Sequence, residues 1–569
     1  MSVSADATRS EGTADEPDVG AEPLQHKRHR AAPPWGIGLT VGAMLFGALV
    51  MVWPALLAPI HADQRYMYLN VPGRVQGDWL EIIRVLWSEI PERAEQGRMT
   101  PVGYLMQWVF YNGLTEFSVA TGTPLVVLHG LLKVLLFAVA VLCVAAFVKS
   151  LRGRGPDGEM VAPSRSTVWL VVAGVVVLGA AGVQTHLQFR NGWLSYPVLT
   201  YGAVMVEFGI VALTLWLTRR MAERSTAAQT TTAVVTMIVV GLFLNLSYEL
   251  YYVAFPAAIL ALILQPDPPD EGRRRARIAK LVIGGTLAVT FVGTFMAIRV
   301  WLADACADQC YIGTQTQFSG DTARFTWYNL ASSLPMSGRS EALATMSLLG
   351  RDSLPQPFSS PLVVGCVLAG LALVAARILL RRRSTEAVRS EIDQETARAE
   401  SGALLRGGIV ALAIALGSVV VMSVSAQVPE IILGVGYPYR HIVVTWVGLC
   451  LAGLLFLTAI DLRLRNRGVG VGLWVATAVG AVLIAGAMLP VNLQSTRAEL
   501  LSPSIRATDA IHREITLGDP RPEADERRCA TIEALAQNNV PPVSVNFITD
   551  SAQLAYRYFY GVDYCSEID

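Results

Sequence analysis

The stretch WGIGLTVGAMLFGALVMVWPALLAP, residues 35–59, decides the fold: 25 positions with no charged side chain, entered from His26-Lys27-Arg28-His29-Arg30 and left through His61-Ala62-Asp63-Gln64-Arg65-Tyr66. An apolar run of that length crosses a bilayer as a helix. The basic cluster before it is retained on the cytoplasmic side by the positive-inside rule, so Asp63 is expected just outside the membrane.

The same reading extends along the chain. Of 569 residues, 53% are hydrophobic and 16% charged, and mean hydropathy is +0.45. That balance describes an integral membrane protein, not a soluble one. Formal net charge is zero, and no nucleic-acid partner is expected. About eleven spans can be placed: Trp35 to Pro59, Pro124 to Val148, Val168 to Val183, Pro197 to Leu217, Val234 to Leu246, Leu250 to Leu264, Leu281 to Leu302, Pro361 to Leu380, Gly408 to Ala426, Ile442 to Ile460 and Val471 to Leu489. Every expected inner loop is dense in Arg or Lys, as at Lys149 to Arg165, Arg219 to Arg224, Arg273 to Arg277, Arg381 to Arg406 and Arg463 to Arg467. The expectation is a polytopic α-helical protein of the cell membrane, with its N-terminus inside and its C-terminus outside.

Three parts follow. Residues 1–34 are polar and read as a disordered cytoplasmic tail. Residues 35–490 form the transmembrane domain, with large outer loops at 60–123, where interfacial helices are expected, and 303–360. Residues 491–569 form an outer domain, read as a small α/β appendage because Ser504 to Ile515 is helix-like and Pro542 to Ile548 strand-like. Three cysteines, Cys143, Cys366 and Cys450, lie within spans. The other four lie in outer segments, an even number that fits two disulfides, Cys306 with Cys310 and Cys529 with Cys565. No Walker motif, heptad run, His-Glu-x-x-His or internal repeat is present.

Chemistry is sought in the outer loops. Asp63 follows a span directly, among His61, Arg65, Tyr66 and Tyr68. Glu249, in Leu244-Asn245-Leu246-Ser247-Tyr248-Glu249-Leu250, separates two apolar runs, where an acid is expensive unless it is paired or faces a wet cavity. The plainer reading is a short re-entrant turn whose Glu reaches interfacial water. Arg98, Arg190 and Arg440 with His441 come from separate outer loops; each alone is an ordinary interfacial anchor, and together they would clamp a phosphate through planar forks of donors.

On these residues the chain resembles the GT-C superfamily of membrane glycosyltransferases, of an actinobacterial type in its Ala/Val/Arg/Gly-rich composition. That family uses polyprenyl-phosphate sugars and places an acid just after the first span. Asp63 occupies that position, with Gln64 where a second acid often stands. Gly97-Arg98-Met99-Thr100-Pro101 looks like a Gly-Arg-x-x-Pro element of related proteins, and Glu249 lies where several carry a further acid. The resemblance implies a polyprenyl-phosphate-linked donor, a cell-envelope glycan or lipid acceptor and a lipid bilayer around the enzyme. It also implies Asp63 as base and Glu249 as second acid, with Arg98, Arg190 and Arg440 on the phosphate. His61, Arg65, Tyr248 and His441 are counted among the substrate-binding groups. Charge on the leaving phosphate can be met by arginine or by a divalent cation. The competing class is a transporter or flippase of a lipid-linked or polar solute, and a third is a scaffold that recruits wall partners.

Overall fold

The computed structural model describes residues 34–61, 63–155, 157–186, 191–223, 226–306, 310, 315–338, 355–385, 391–432, 434–437, 439–464, 467–538 and 542–567. The expected tail at 1–34 lies, up to residue 33, outside the described residues, as does Arg190.

The first span is α1, Pro34–Leu57, and it ends abruptly. Pro59 has no N–H to offer the Ala55 carbonyl, so the last carbonyls of α1 need partners from elsewhere. The Lys133 ammonium donates to Ala55 O at 3.1 Å and Thr496 Oγ1 to Pro54 O at 3.2 Å. Four helices then fill the first loop: α2 (Gln64–Val75), α3 (Trp79–Ser88), α4 (Ile90–Glu95) and α5 (Pro101–Thr121). Helix α3 buries Ile82 and Leu86 and turns Trp79, Leu80, Ile83 and Trp87 outward, the pattern expected of an interfacial helix.

Beyond them come α6 (Leu125–Ser150), α7 (Arg165–Ala181), α8 (Pro197–Glu223) and α9 (Ala227–Ser247). A 3-10 turn, Glu249–Val253, leads into α10, Ala254–Leu264. Helix α11, Asp270–Cys306, has 37 residues; at 1.5 Å per residue it is about 55 Å long and overshoots a ~30 Å hydrocarbon layer. After α12 (Thr322–Ser332) come α13 (Val363–Thr385), α14 (Glu391–Ser423), α15 (Ile442–Arg463) and α16 (Arg467–Leu500). The charged residues before Arg406, part of the expected inner loop, are helical and continuous with the apolar run after them in α14.

Among the described residues nine helices are long and apolar enough to cross a membrane, and α7 and the Glu249–Leu264 segment are shorter apolar helices. These elements correspond one for one to the eleven apolar runs of the sequence. They pack around one large core, and one ion pair is sealed inside it: Arg377 of α13 grips Asp461 of α15 at 2.6 and 2.8 Å, with the Trp474 indole of α16 donating at 3.3 Å.

The C-terminal part corrects the α/β expectation. It consists of α17 (Pro503–Leu517), α18 (Asp525–Gln537) and α19 (Pro542–Tyr560). Val543-Ser544-Val545-Asn546-Phe547 alternates like a strand, yet it forms the first turns of α19. Pro542 is pre-set for a first helical position, and the buried Ile548, Ala552, Ala555 and Tyr556 recur at helical spacing. The strands among the described residues are a two-residue pair, Gly153–Arg154 with Met160–Val161, at the arginine-rich end of the bundle. Both expected disulfides are formed, Cys306–Cys310 and Cys529–Cys565.

Candidate functional site

At the end of the bundle opposite the arginine-rich turns, the chain leaves its helices around a cavity of about 320 Å³. Five of the sequence candidates line it: Asp63, Arg98, Tyr248, Glu249 and Arg440. They come from four separate segments. Asp63 stands before the first turn of α2, and Arg98 lies in the turn between α4 and α5, where Gly97 takes a φ of +72° that favours glycine. Tyr248 is extended, with φ −158° and ψ 137°, and this break at the end of α9 presents Glu249 at the start of the 3-10 turn. Arg440 precedes α15.

Two close approaches set the spacing of these segments. A Cβ on Gly103 of α5 would fall 2.1 Å from the Ser247 carbonyl, so only glycine lets α5 seat against the α9 break. That contact fixes the Arg98 turn relative to Glu249. A Cβ on Gly192 would lie 2.7 Å from the Arg440 carbonyl, which brings the segment before α8 onto the Arg440 turn.

Tyr196 is the hub of the carboxylate side. Its phenol donates to Asp63 Oδ2 at 2.9 Å, and its backbone N–H donates to Gln64 Oε1 at 2.9 Å. Burial pushes the Tyr196 phenol well above its ordinary range, so it stays protonated and serves as the donor. The residue has φ +53°, in the left-handed region that a bulky side chain rarely occupies. The Arg440 guanidinium lies 4.7 Å from the centroid of the same ring and 5.7 Å from that of Tyr439. Asp63 and Arg440 are thus both referenced to one aromatic side chain.

Sequence reasoning missed Tyr196 and Arg299. Arg299, of α11, lines the cavity with its guanidinium 5.2 Å from the Phe295 ring centroid. Its signal was available, since a cation inside an expected span marks a functional position by default. Tyr196 had none. The remaining lining is aromatic, as at Tyr104, Trp108 and Tyr252, or neutral and polar, as at Gln107, Gln315 and Thr316.

Three expected binding residues point elsewhere. His61 is buried with Nε2 3.5 Å from Glu499 Oε2, and burial, with Arg65 and Lys133 nearby, holds it well below the usual histidine range. Arg65 donates to Ile60 O at 3.3 Å on the side of α2 away from the cavity. His441 is buried, its Nε2 3.2 Å from Asn329 O, and burial lowers it to about 4, so it is a neutral donor to that carbonyl. Among the described residues no group of three or more His, Cys, Asp or Glu side chains is placed to hold a metal ion.

Fold and site together define a polytopic helical membrane protein whose loops enclose a cavity bearing two carboxylates and three arginines. Comparison with protein-family models, curated proteins and solved structures finds no match to the chain.

Proposed function

We propose that the chain is a GT-C-like membrane glycosyltransferase that moves a sugar from a polyprenyl-phosphate donor to a cell-envelope acceptor. The arginine-rich helix ends would face the cytoplasm and the cavity and C-terminal helices the outside, as the positive-inside rule requires. The observation that carries the reading is the convergence of Asp63 and Glu249 with Arg98, Arg299 and Arg440 in one cavity. Outside the cell a transferase meets its donor attached to a lipid, and a cavity at a bundle end is where a lipid phosphate can be presented.

In this reaction the acceptor hydroxyl oxygen attacks the anomeric carbon. The bond from that carbon to the phosphate oxygen breaks, and its electron pair leaves on polyprenyl phosphate. Asp63 takes the hydroxyl proton, with the Tyr196 O–H fixing the carboxylate that receives it. Glu249 orients the sugar or acceptor. Arg98, Arg299 and Arg440 neutralise the phosphate as charge develops on it. The aromatic wall suits the apolar faces of a sugar ring.

The test is purified protein in nanodiscs with a labelled polyprenyl-phosphate sugar and acceptor. The wild type is expected to release polyprenyl phosphate and glycosylated product. Asp63→Asn is expected to hold the donor and lose turnover by roughly 10²–10⁴-fold, the usual contribution of a general base. Unimpaired synthesis by that variant would refute the assignment. One observation favours the transport alternative: Glu207, fully buried in α8, is an intramembrane acid outside the cavity, of the kind found in proton relays. Movement of the lipid-linked sugar across liposomes without release of polyprenyl phosphate would support that reading.

A further inference from the structure

Helix α2, which carries the cavity carboxylate at its start, has only 12 residues and contains Pro72. A helix so short is marginal on its own and is held by what packs on its faces. One face belongs to the first loop: Tyr68, Val71 and Val75 pack with Ile82, Leu86 and Trp108. The opposite face belongs to the C-terminal helices. Leu69 is buried in their core, with Ile511, Ile515, Ile548 and Tyr556. Tyr66 stacks on Phe547 with ring centroids 5.5 Å apart. Gly73 lies so close to α19 that a Cβ would come 2.8 Å from the Leu554 carbonyl carbon, and Gly77 is covered by the Tyr558 phenol.

Polar contacts repeat the pattern. His512 of α17 places Nε2 2.8 Å from the carbonyl of Arg65, in the first turn of α2 and two residues from Asp63. The Arg65 guanidinium faces Glu499 of α16 and Asp509 of α17. Farther along, the Ser118 and Thr516 hydroxyls are 2.9 Å apart, and the Tyr558 phenol donates to Glu116 at 2.9 Å. Among the described residues the C-terminal helices contribute none to the cavity lining. They reach the site through α2, and at its far end through α5.

We infer that the C-terminal helices are a splint for Asp63: they supply the second packing face that α2 needs, and His512 is the positioning residue that locks its first turn. The catalytic part of this inference rests on the glycosyltransferase reading; the splint itself does not. Losing one of two faces lets α2 shift, and a carboxylate displaced by about 1 Å can cost on the order of 10²-fold in rate.

The experiment uses the full chain in nanodiscs. His512→Ala removes the lock, and His512→Gln keeps an N–H that can donate to the Arg65 carbonyl. Hydrogen exchange over residues 64–75 is followed beside kcat and KM for a short-chain polyprenyl-phosphate sugar. His512→Ala is expected to speed exchange in 64–75 by roughly tenfold or more while α18 and α19 exchange as in the wild type, to lower kcat by roughly 10-fold or more, and to leave KM in place; His512→Gln restores both. Gly73→Ala, which pushes α19 off α2 without altering a polar side chain, is expected to loosen the same segment. Unchanged exchange over 64–75 in both His512→Ala and Gly73→Ala overturns the splint. Loosened exchange with unchanged kcat overturns His512 as a positioning residue. A wild type that turns over no polyprenyl-phosphate sugar removes the functional reading, and exchange over 64–75 still decides the splint.

Discussion

Replacing Asp509 by Asn should change the pH dependence of the C-terminal helices. Two groups on α17 titrate against each other there. His512 is lowered from 6.5 to about 4, chiefly by burial. Its contribution to stability is full above about pH 6.5 and is lost as pH falls toward about 4, because the unfolded chain takes up the proton first. Asp509 is raised from 3.8 to about 6, again chiefly by burial, with Arg65 and Arg513 pulling the other way. Its contribution has the opposite sign, full below about pH 3.8 and lost as pH rises through about 6. At about 1.4 kcal/mol per pH unit each shift corresponds to about 3 kcal/mol, so the two slopes nearly cancel in the wild type. Asp509→Asn leaves the histidine slope alone. Stability of the variant should rise by about 3 kcal/mol between about pH 4 and pH 6.5, read as an increase in the thermal midpoint in nanodiscs, where the wild type stays level. A variant profile as flat as the wild type would show that His512 is not the buried neutral donor described above.

Two other perturbations test the frame. Asp461→Asn strands the Arg377 guanidinium inside the bundle and should destabilise it by about 3–5 kcal/mol in a thermal melt, whereas Arg377→Met with Asp461→Leu should recover most of the loss; equal melts for the single and double variants would contradict the pairing. Reducing Cys529–Cys565 opens a 36-residue separation, worth about 4 kcal/mol of loop entropy, and should destabilise the C-terminal helices selectively, read as faster hydrogen exchange there.

The apolar helices were legible because each is a long run of apolar residues with basic residues beyond one end, and a bilayer leaves few alternatives for such a run. The helix at Pro542 was not, since Val543-Ser544-Val545-Asn546-Phe547 has the period of a strand over its first five residues and the helical signal begins only at Ile548. In the site, Asp63, Arg98, Glu249 and Arg440 were legible as polar residues at places where helices end. Which neighbours share their direction was not. Successive helical residues turn by about 100°, so an Asp63 aimed at the cavity sends Arg65 to the opposite side of α2, where it meets Glu499 and Asp509. The same rotation separates Arg440, in the cavity, from His441, buried against Asn329. Tyr196 left no trace in sequence because its role depends on a left-handed backbone and on loops 133 residues apart.

A cluster of buried cationic and imidazole groups beside the site, Lys133, His129 and His61, invites a second functional reading, since ionisable residues at membrane depth are functional by default. The geometry argues for a structural one. The Lys133 ammonium meets Ala55 O, the carbonyl that Pro59 leaves without a helix partner, and a cation there also opposes the negative end of the α1 dipole. His129 Nδ1 is 2.7 Å from the Tyr68 phenol, tying the second span to α2. His61 faces Glu499. Each member therefore closes α1 or holds the helix that follows it. Five residues separate the last residue of α1 from Asp63, and α1 must stop cleanly for the chain to turn within them. Pro59 makes the stop, and Lys133 and Thr496 satisfy the carbonyls it leaves.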